Sequence, residues 1–501
     1  MIRSEATELS RRCVIIGGGL AGLAGAIRLA KAGFHTELYE KNATLGGKMN
    51  ELTLGAYRFD TGPSLLTMPF VIENLFKEIG VRLSDLLEIR SVDPLCRYFF
   101  ADGAVFDASA DERTMQVNLK NFAPDDVNAF EKFMTYCRRI YDLTADAFIF
   151  DSIHELTRVL RLKNLRTLLH IRQLDAFRTV HQAVSRYFSN SNLVQVFDRY
   201  PTYNGSNPFN APATLNIIPY VEYGLGGYYI KGGMYRLIEA MTAAAKNVGV
   251  RIHTDTPVSK IEYSNGRVSG IRIHQEFIPA HCILCNADVV VAYNQLIENQ
   301  RRYRNKLNAL EPSISGLVFL WGVEGRYSRL SQHNILFSEN YRFEFDQIFD
   351  KLEPPTDPTI YLSVTSKSDP EHAPADGENW FILVNMPYLT EGQDWKTIVS
   401  TMRRLIIKRL EKLGIFVAEK IRVEKILTPQ DFLHRFAGNR GSIYGISSNS
   451  RNSAFLRPPN RDRRIKGLYF AGGSTHPGGG VPLAVQSGKI AAELIIENEN
   501  N

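Results

Sequence analysis

The stretch CVIIGGGLAGLAGAIRLAKAGFHTELYE, residues 13–40, constrains this chain more than any other. Cys13 to Ile16 reads as a short buried strand, and Gly17, Gly18, Gly19, Leu20, Ala21 and Gly22 then supply a G-x-G-x-x-G turn into a helix. In such a turn Gly17 allows a tight reversal, Gly19 lets the backbone approach a pyrophosphate, and Gly22 lets helix and sheet close on each other. Leu20, Leu23, Ile27 and Ala30 recur on one apolar face, Gly33 is placed to stop the helix, and HTELYE reads as the next strand. That strand ends in Glu40, near the ~20-residue offset at which an acid binds ribose hydroxyls, and a carboxylate there disfavours a 2′-phosphate. Strand, glycines, helix, strand and acid in this order point to a dinucleotide site without saying which dinucleotide.

Two competing readings fail on composition. Arg11 and Arg12 ahead of an uncharged segment mimic a secretory signal, but glycines at 17, 18, 19, 22 and 25 make a poor signal or membrane helix. No run of about 18 strongly apolar residues follows anywhere. Cys282 and Cys285 have C-x-x-C spacing, yet they lie in the apolar run FIPAHCILCNAD with no second pair to complete a metal site, and they read as packing in a buried strand. Five cysteines in all suggest no disulfide framework and fit a reducing compartment. At 501 residues the chain exceeds the ~250–300 residues of a single core, so more than one lobe is expected. A net charge of +6 is ordinary for solubility and makes no case for a nucleic-acid partner.

Further along, EKNATLGGKMN, with Gly46, Gly47 and Lys48, resembles the second glycine pair of flavoproteins of the amine oxidase and carotenoid desaturase type. YRFDTGPSLLTMP, residues 57–69, resembles the F-D-x-G-P segment of bacterial phytoene and diapophytoene desaturases. LYFAGGSTHPGGGVPLAVQSGKIAAELI, residues 468–495, resembles their closing flavin motif, and the likeness continues through residues 203–237 and 315–323. The resemblance implies an α/β (α+β) chain. It would have a Rossmann-like FAD-binding domain of the amine oxidase/GDI type, an interleaved substrate domain and a helical membrane-associated region. FAD would lie extended across a discontinuous domain made of residues 10–100, 216–295 and 455–501, with 101–215 and 296–454 forming the substrate domain. Contacts to FAD are then expected from Gly17, Gly19, Leu20, Ala21, Gly22, Glu40, Lys41, Gly47, Lys48, Gly62, Pro63, Ser64, Val258, Gly473, Ser474, Val481 and Pro482. Many related flavoproteins carry an acid near the position of Ser474.

Local chemistry supports two of these segments independently. Pro482 follows Gly478, Gly479 and Gly480 at a first helical position, and apolar residues recur at Leu483, Ile490, Ala491 and Leu494. A helix starting there aims its positive end at a flavin. Residues 250–273 read as alternating strands joined by an Asn265-Gly266 turn. The family uses the first of these strands beside the adenine, which puts Val258 on the cofactor through its backbone.

Residues 151–190 are basic and leucine-rich. Arg158, Arg161, Lys163, Arg166, Arg172, Arg178 and Arg186 stand against Asp151, Glu155 and Asp175, with six leucines and isoleucines between them. Such a stretch is either a solvated helix face or a surface for anionic lipid. The resemblance favours lipid, because a long polyene is almost insoluble in water and must be taken from a membrane, here at its cytoplasmic face. The sequence leaves the oligomeric state open.

The chemistry implied by the resemblance is desaturation of a C30 or C40 polyene. Two hydrogens leave adjacent allylic carbons, one as hydride to flavin N5 and one as a proton. His476, inside the closing motif, is a candidate proton acceptor set against a purely structural role. NRGSIYGI (439–446) leans toward relatives acting on conjugated carotenoids, including terminal oxidases of diapo-carotenoids, while residues 197–215 look like hydroxycarotenoid 3,4-desaturases. Desaturation is the primary expectation and terminal-methyl oxidation the second. A third, from another class, is a prenyl-lipid escort protein of the same fold, which the intact glycine fingerprint and closing segment disfavour.

Overall fold

In the computed structural model, which describes residues 11–155, 158 and 171–499, the fingerprint folds as its spacing predicts. Strand β1 (Arg12–Ile16) leads into helix α1 (Leu20–Lys31) and strand β2 (His35–Tyr39) returns parallel to β1. β1 is central in a five-stranded sheet ordered Leu468–Phe470, Cys282–Cys285, β1, β2, Arg251–His253, with every neighbouring pair parallel. A parallel sheet is covered on both faces, which is why its adjacent runs 13–16 and Cys282–Cys285 are continuously apolar. Cys13, Cys282 and Cys285 are fully buried in that core, as packing residues.

A second sheet has seven strands, ordered Ile421–Leu427, Ser315–Glu324, Gly377–Met386, Ile360–Ser363, His333–Leu336, Cys96–Phe99 and Val105–Ala108. Cys96–Phe99 pairs parallel with His333–Leu336, so the chain has already changed sheets before residue 100. Alternate residues of Ser315–Glu324 serve two different cores. Leu317, Phe319 and Trp321 pack under the helix Trp395–Lys412 against Met402 and Ile406. Val318 and Leu320 face the other way, toward Phe59, Phe381 and Phe432.

The hairpin of Lys260–Ser264 and Arg267–Ile273 turns through Asn265 (φ 50°) and Gly266 (φ 73°), both left-handed as a two-residue turn of this kind requires. Val258 lies in the extended segment just before it.

Within the basic stretch 151–190, residues 156–157 and 159–170 lie outside the described residues, Arg161, Lys163 and Arg166 included. Arg158 corrects the expectation of a lipid-facing role. It is 1% exposed, and its guanidinium meets Asp151 at 3.1 Å, Glu493 at 3.0 Å and Glu497 at 2.6 Å. The two glutamates are one turn apart on the C-terminal helix, so together they make an acidic clamp that draws Arg158 inward. Arg178 is likewise held, by Asp175 at 2.9 Å.

That C-terminal helix, Val481–Glu499, crosses α1 at a point where only glycine fits. A Cβ on Gly488 would lie 2.3 Å from the Ala21 carbonyl oxygen and 3.0 Å from the Ala24 methyl. Gly488→Val therefore forces the two helices apart. Overpacking of this kind costs about 1–3 kcal/mol, and the expected outcome is a lower midpoint of thermal unfolding followed by circular dichroism. An unchanged midpoint would mean the crossing has room to spare.

Candidate active site

A cleft of about 740 Å³ runs from the carboxyl ends of the parallel strands to the second sheet. Carboxyl ends of parallel strands are where such sheets bind ligands. Gly17, Gly19, Leu20, Ala21, Glu40, Lys41, Gly47, Lys48, Gly62, Pro63, Ser64, Val258, Gly473, Ser474, Val481 and Pro482 all line it. Gly22 is the exception among the expected contacts. A Cβ there would sit 2.1 Å from the Gly17 carbonyl oxygen, so Gly22 keeps α1 tight against its own turn instead of lining the cleft.

The charge pattern at this end suits a dinucleotide. α1 begins at Gly19 with no side-chain cap, which presents its first amide N–H groups and its positive end to whatever lies in the cleft. A Cβ on Gly47 would stand 3.6 Å from the Gly19 Cα, so the two glycine loops come close to each other around the cleft. Glu40 is buried, and its carboxylate accepts from the Gly18 N–H at 2.8 Å and from the Asn42 N–H and Nδ2 at 2.9 and 2.7 Å. Lys41 Nζ donates to the His434 carbonyl at 2.7 Å, and Asn42 Nδ2 to that of Arg435 at 3.0 Å. These bonds draw the end of the helix Pro429–Phe436 across the site, where Phe432, Arg435 and Phe436 line it.

Several site residues have no counterpart in the sequence reading. Asn286 follows the strand Cys282–Cys285, takes the Ile16 carbonyl on its N–H at 2.7 Å and donates Nδ2 to Ala471 at 2.8 Å, bracing three strand ends. Asp288 caps the helix Val289–Gln295, accepting from the Val290 N–H at 2.9 Å. Its position after an apolar strand and before Val-Val-Val was a readable capping signal. The Ser474 hydroxyl accepts from the Val289 N–H at 2.9 Å, so an acid does stand beside Ser474, contributed by the Asp288 segment. Burial pushes the Asp288 carboxyl up, opposed by Lys48. Lys48 donates Nζ to the carbonyls of Ser442 and Ile443, and burial pulls its pKa down to about 8 against the attraction of Asp288. Arg457, also cleft-lining, donates to the Gly473 carbonyl and the Ser448 hydroxyl, each at 3.1 Å.

His476 lines the cleft, but its Nε2 donates to the Asp151 carbonyl at 2.7 Å, and burial drops its pKa to about 4. That bond makes it a strut between the closing segment and residue 151. The remaining wall is largely apolar, with Leu95, Phe148, Ile149, Leu215, Ile217, Ile218, Val221, Val318, Ile335, Phe381 and Phe455. Among them stand Arg199, His333 and Tyr361, brought together from segments far apart in sequence. Arg199 donates to the hydroxyls of Tyr98 and Tyr200 at 2.8 and 3.2 Å and to Glu222 at 2.9 Å.

The sequence profile of flavin containing amine oxidoreductases matches residues 20–496. The chain belongs to that family. A 1-hydroxycarotenoid 3,4-desaturase from Flavobacterium sp. (strain P99-3) is 39% identical over 489 residues, covering 97% of this chain and 99% of the relative. A 4,4′-diapolycopene oxygenase from Methylomonas sp is 35% identical over 495 residues, 97% and 98% of the two chains. The crystal structure of an oxidoreductase from Methanosarcina mazei shares the fold at a TM-score of 0.64 and 16% identity, covering 97% of this chain and 100% of that one. This flavoprotein is accordingly an FAD-dependent oxidoreductase, and the donor set fits its cofactor: uncapped helix N–H groups and glycine backbone for a pyrophosphate, and a buried carboxylate for a ribose.

When bound, FAD supplies a hydride acceptor. The chain's part is to bind, orient and exclude water, and Lys48 gives that role a pH signature. With a pKa near 8 it loses its proton as pH rises, whereas an anion in the cleft favours the charged form, so FAD binding is expected to take up a proton above pH 8. Affinity for FAD, measured by flavin fluorescence quenching, is expected to hold up to about pH 8. Above that it should fall by up to about tenfold per pH unit. Lys48→Met should bind more weakly and without that slope; a slope surviving in the variant assigns the titration to another group.

Proposed function

We propose that this flavoenzyme desaturates a long polyene of the carotenoid class, at a site where the FAD-binding loops and an apolar channel form one continuous cleft. That continuity is the observation that carries the reading. The glycine loops at Gly19 and Gly47 pass through Gly62–Ser64 into walls of leucine, isoleucine, valine and phenylalanine, with no break between them. Two C–H bonds on adjacent carbons break, one C=C bond forms, a hydride goes to the flavin and a proton is released. An apolar channel holds the chain straight and dry for that transfer. The likeness to a 1-hydroxycarotenoid 3,4-desaturase supports the substrate class. The likeness to diapolycopene and diaponeurosporene oxygenases, at 35% and 33%, supports a second reading, oxidation of an end methyl. The escort-protein alternative is disfavoured by the match to the flavin containing amine oxidoreductase family, which runs from residue 20 through the closing segment.

We propose further that the enzyme attaches peripherally to the cytoplasmic face of a membrane. Among the described residues no helix is long and apolar enough to cross one. Half-buried Phe148 and Phe455, 5.6 Å apart edge to face, line the cleft. Next to them Leu456 is 62% and Phe177 75% exposed, and Arg451 lies 4.6 Å over the Phe177 ring. An exposed aromatic, a leucine and an arginine suit an interface between water and lipid. The five cysteines are unpaired, in keeping with a reducing compartment.

Cells making a colourless C30 or C40 polyene, or an already coloured one, distinguish the two chemistries when given this gene and analysed by chromatography and mass. Desaturation removes hydrogen in units of two, adds no oxygen and moves absorption to longer wavelength. Oxygenated products from the coloured precursor alone would select end-methyl oxidation instead.

For attachment, Phe177→Ser combined with Leu456→Ser should reduce co-sedimentation with anionic liposomes severalfold, and added salt should reduce it further. Undiminished sedimentation would move the contact elsewhere on the surface.

A further inference from the structure

A pure hydrocarbon needs no hydrogen bond, yet the cleft contains one on offer. His333, on the strand His333–Leu336, is 2% exposed and lines the cleft. Its Nδ1 lies 2.8 Å from the Tyr361 hydroxyl, which is in turn bonded to the Ser64 hydroxyl. Its Nε2 is buried and has no hydrogen-bond partner among the described residues. Buried polar atoms are nearly always satisfied, and an unsatisfied one calls for a missing partner.

The chemistry of that partner follows from the relay. Burial, with the Arg199 charge nearby, pulls the His333 pKa down to about 3, so the ring is neutral and has one donor and one acceptor nitrogen. If Tyr361 donates to Nδ1, the ring proton sits on Nε2, which then donates. If Nδ1–H donates to Tyr361 and Tyr361 donates to Ser64, Nε2 accepts. A carbonyl oxygen suits the first arrangement and a hydroxyl the second. An anion suits neither, because the adjacent guanidinium of Arg199 is already committed to Glu222, Tyr98 and Tyr200.

We propose that His333, oriented by Tyr361 and Ser64, is a specificity-determining subsite for one uncharged oxygen, hydroxyl or carbonyl, carried by the polyene. The inference rests on the polyene reading above. Ser64 belongs to the Gly62–Ser64 segment proposed to hold FAD, so the relay starts on the cofactor side of the cleft. A polyene engaged there is read at a functionalised position rather than as featureless hydrocarbon.

The test is equilibrium binding to the purified FAD-loaded enzyme in detergent, read from the polyene's visible band. Three acyclic polyenes of equal length are compared: one with a terminal hydroxyl, one with a terminal aldehyde and one with neither. The parent enzyme should hold one of the oxygenated polyenes about tenfold more tightly than the hydrocarbon, since a site built to bond an oxygen is left unpaired without it. His333→Phe should abolish that preference and bind all three like the hydrocarbon, His333→Gln should retain part of it, and Tyr361→Phe should weaken it. An unchanged flavin spectrum and unfolding midpoint verify that each variant is folded. Equal binding of all three polyenes by the parent overturns the subsite while leaving the polyene reading intact. Binding of none overturns the polyene reading itself. A preference that persists in His333→Phe, or an equal loss for all three ligands in a folded variant, also overturns the subsite, because the residue would then only shape the wall.

Discussion

The elements around this cleft meet backbone to backbone at three places, and at the first and third of them no side chain fits. At the first, Gly22 lies against the Gly17 carbonyl and holds α1 to its turn. At the second, Gly47 comes up to Gly19 and brings the second glycine loop beside the fingerprint. At the third, Gly488 lets the C-terminal helix lie on Ala21, which brings Val481 and Pro482 to the same cleft. Strands from near the start, the middle and the end of the chain are thereby held in one parallel sheet, with their carboxyl ends converging. A sheet assembled from distant parts of the chain is the consequence: the closing segment must return to α1 after the strands of the second sheet have been made.

Charge is then distributed unevenly along the cleft. At the glycine end, Glu40 is held by N–H donors, and Lys48 and Asp288 lie buried within reach of each other's field. Buried ions of opposite sign offset only part of each other's desolvation, which is why Lys48 titrates near 8 and responds to an anion in the cleft. At the other end Arg199 and Glu222 pair directly at 2.9 Å, ringed by Tyr98, Tyr200 and Tyr203, and the neighbouring imidazole is neutral. The substrate side is polar at points without being strongly charged, as a channel for a hydrocarbon must be.

What could be read from sequence was what is local in sequence. The fingerprint, the Asn265-Gly266 hairpin and the closing Pro482 helix each lie within about thirty consecutive residues, and each has a periodicity or turn rule. Arg158 shows the opposite case. Counting charges from 151 to 190 left it in excess, because two of its partners, Glu493 and Glu497, lie more than three hundred residues further on. His333, Tyr361 and Ser64 were invisible for the same reason: Ser64 is 297 positions from Tyr361, and only the pairing of His333–Leu336 with Ile360–Ser363 brings the other two together. Asp288 was legible as a helix cap but not as the acid beside Ser474, since Ser474 follows the adjacent strand Leu468–Phe470 and is 185 positions from Val289 in sequence.

The neutral imidazoles bear on where the second hydrogen goes in the proposed reaction. A base that removes a proton efficiently has a pKa near the working pH. His476 at about 4 and His333 at about 3 are both far too weak, and His476 has already committed its Nε2 to the Asp151 carbonyl. No tuned base is needed, however, if hydride departure comes first. Loss of hydride from an allylic carbon leaves a positive charge delocalised along the polyene, and a C–H bond next to such a cation is strongly acidic, so water or a carbonyl oxygen suffices to take the proton. The demand on the protein is then to stabilise and confine the cation rather than to supply a base. Tyr203, Tyr341, Tyr361 and Phe381 line the channel with aromatic rings, whose faces favour positive charge. Keeping His333 uncharged serves the same end, because an imidazolium at that wall would repel the cation the reaction has to form.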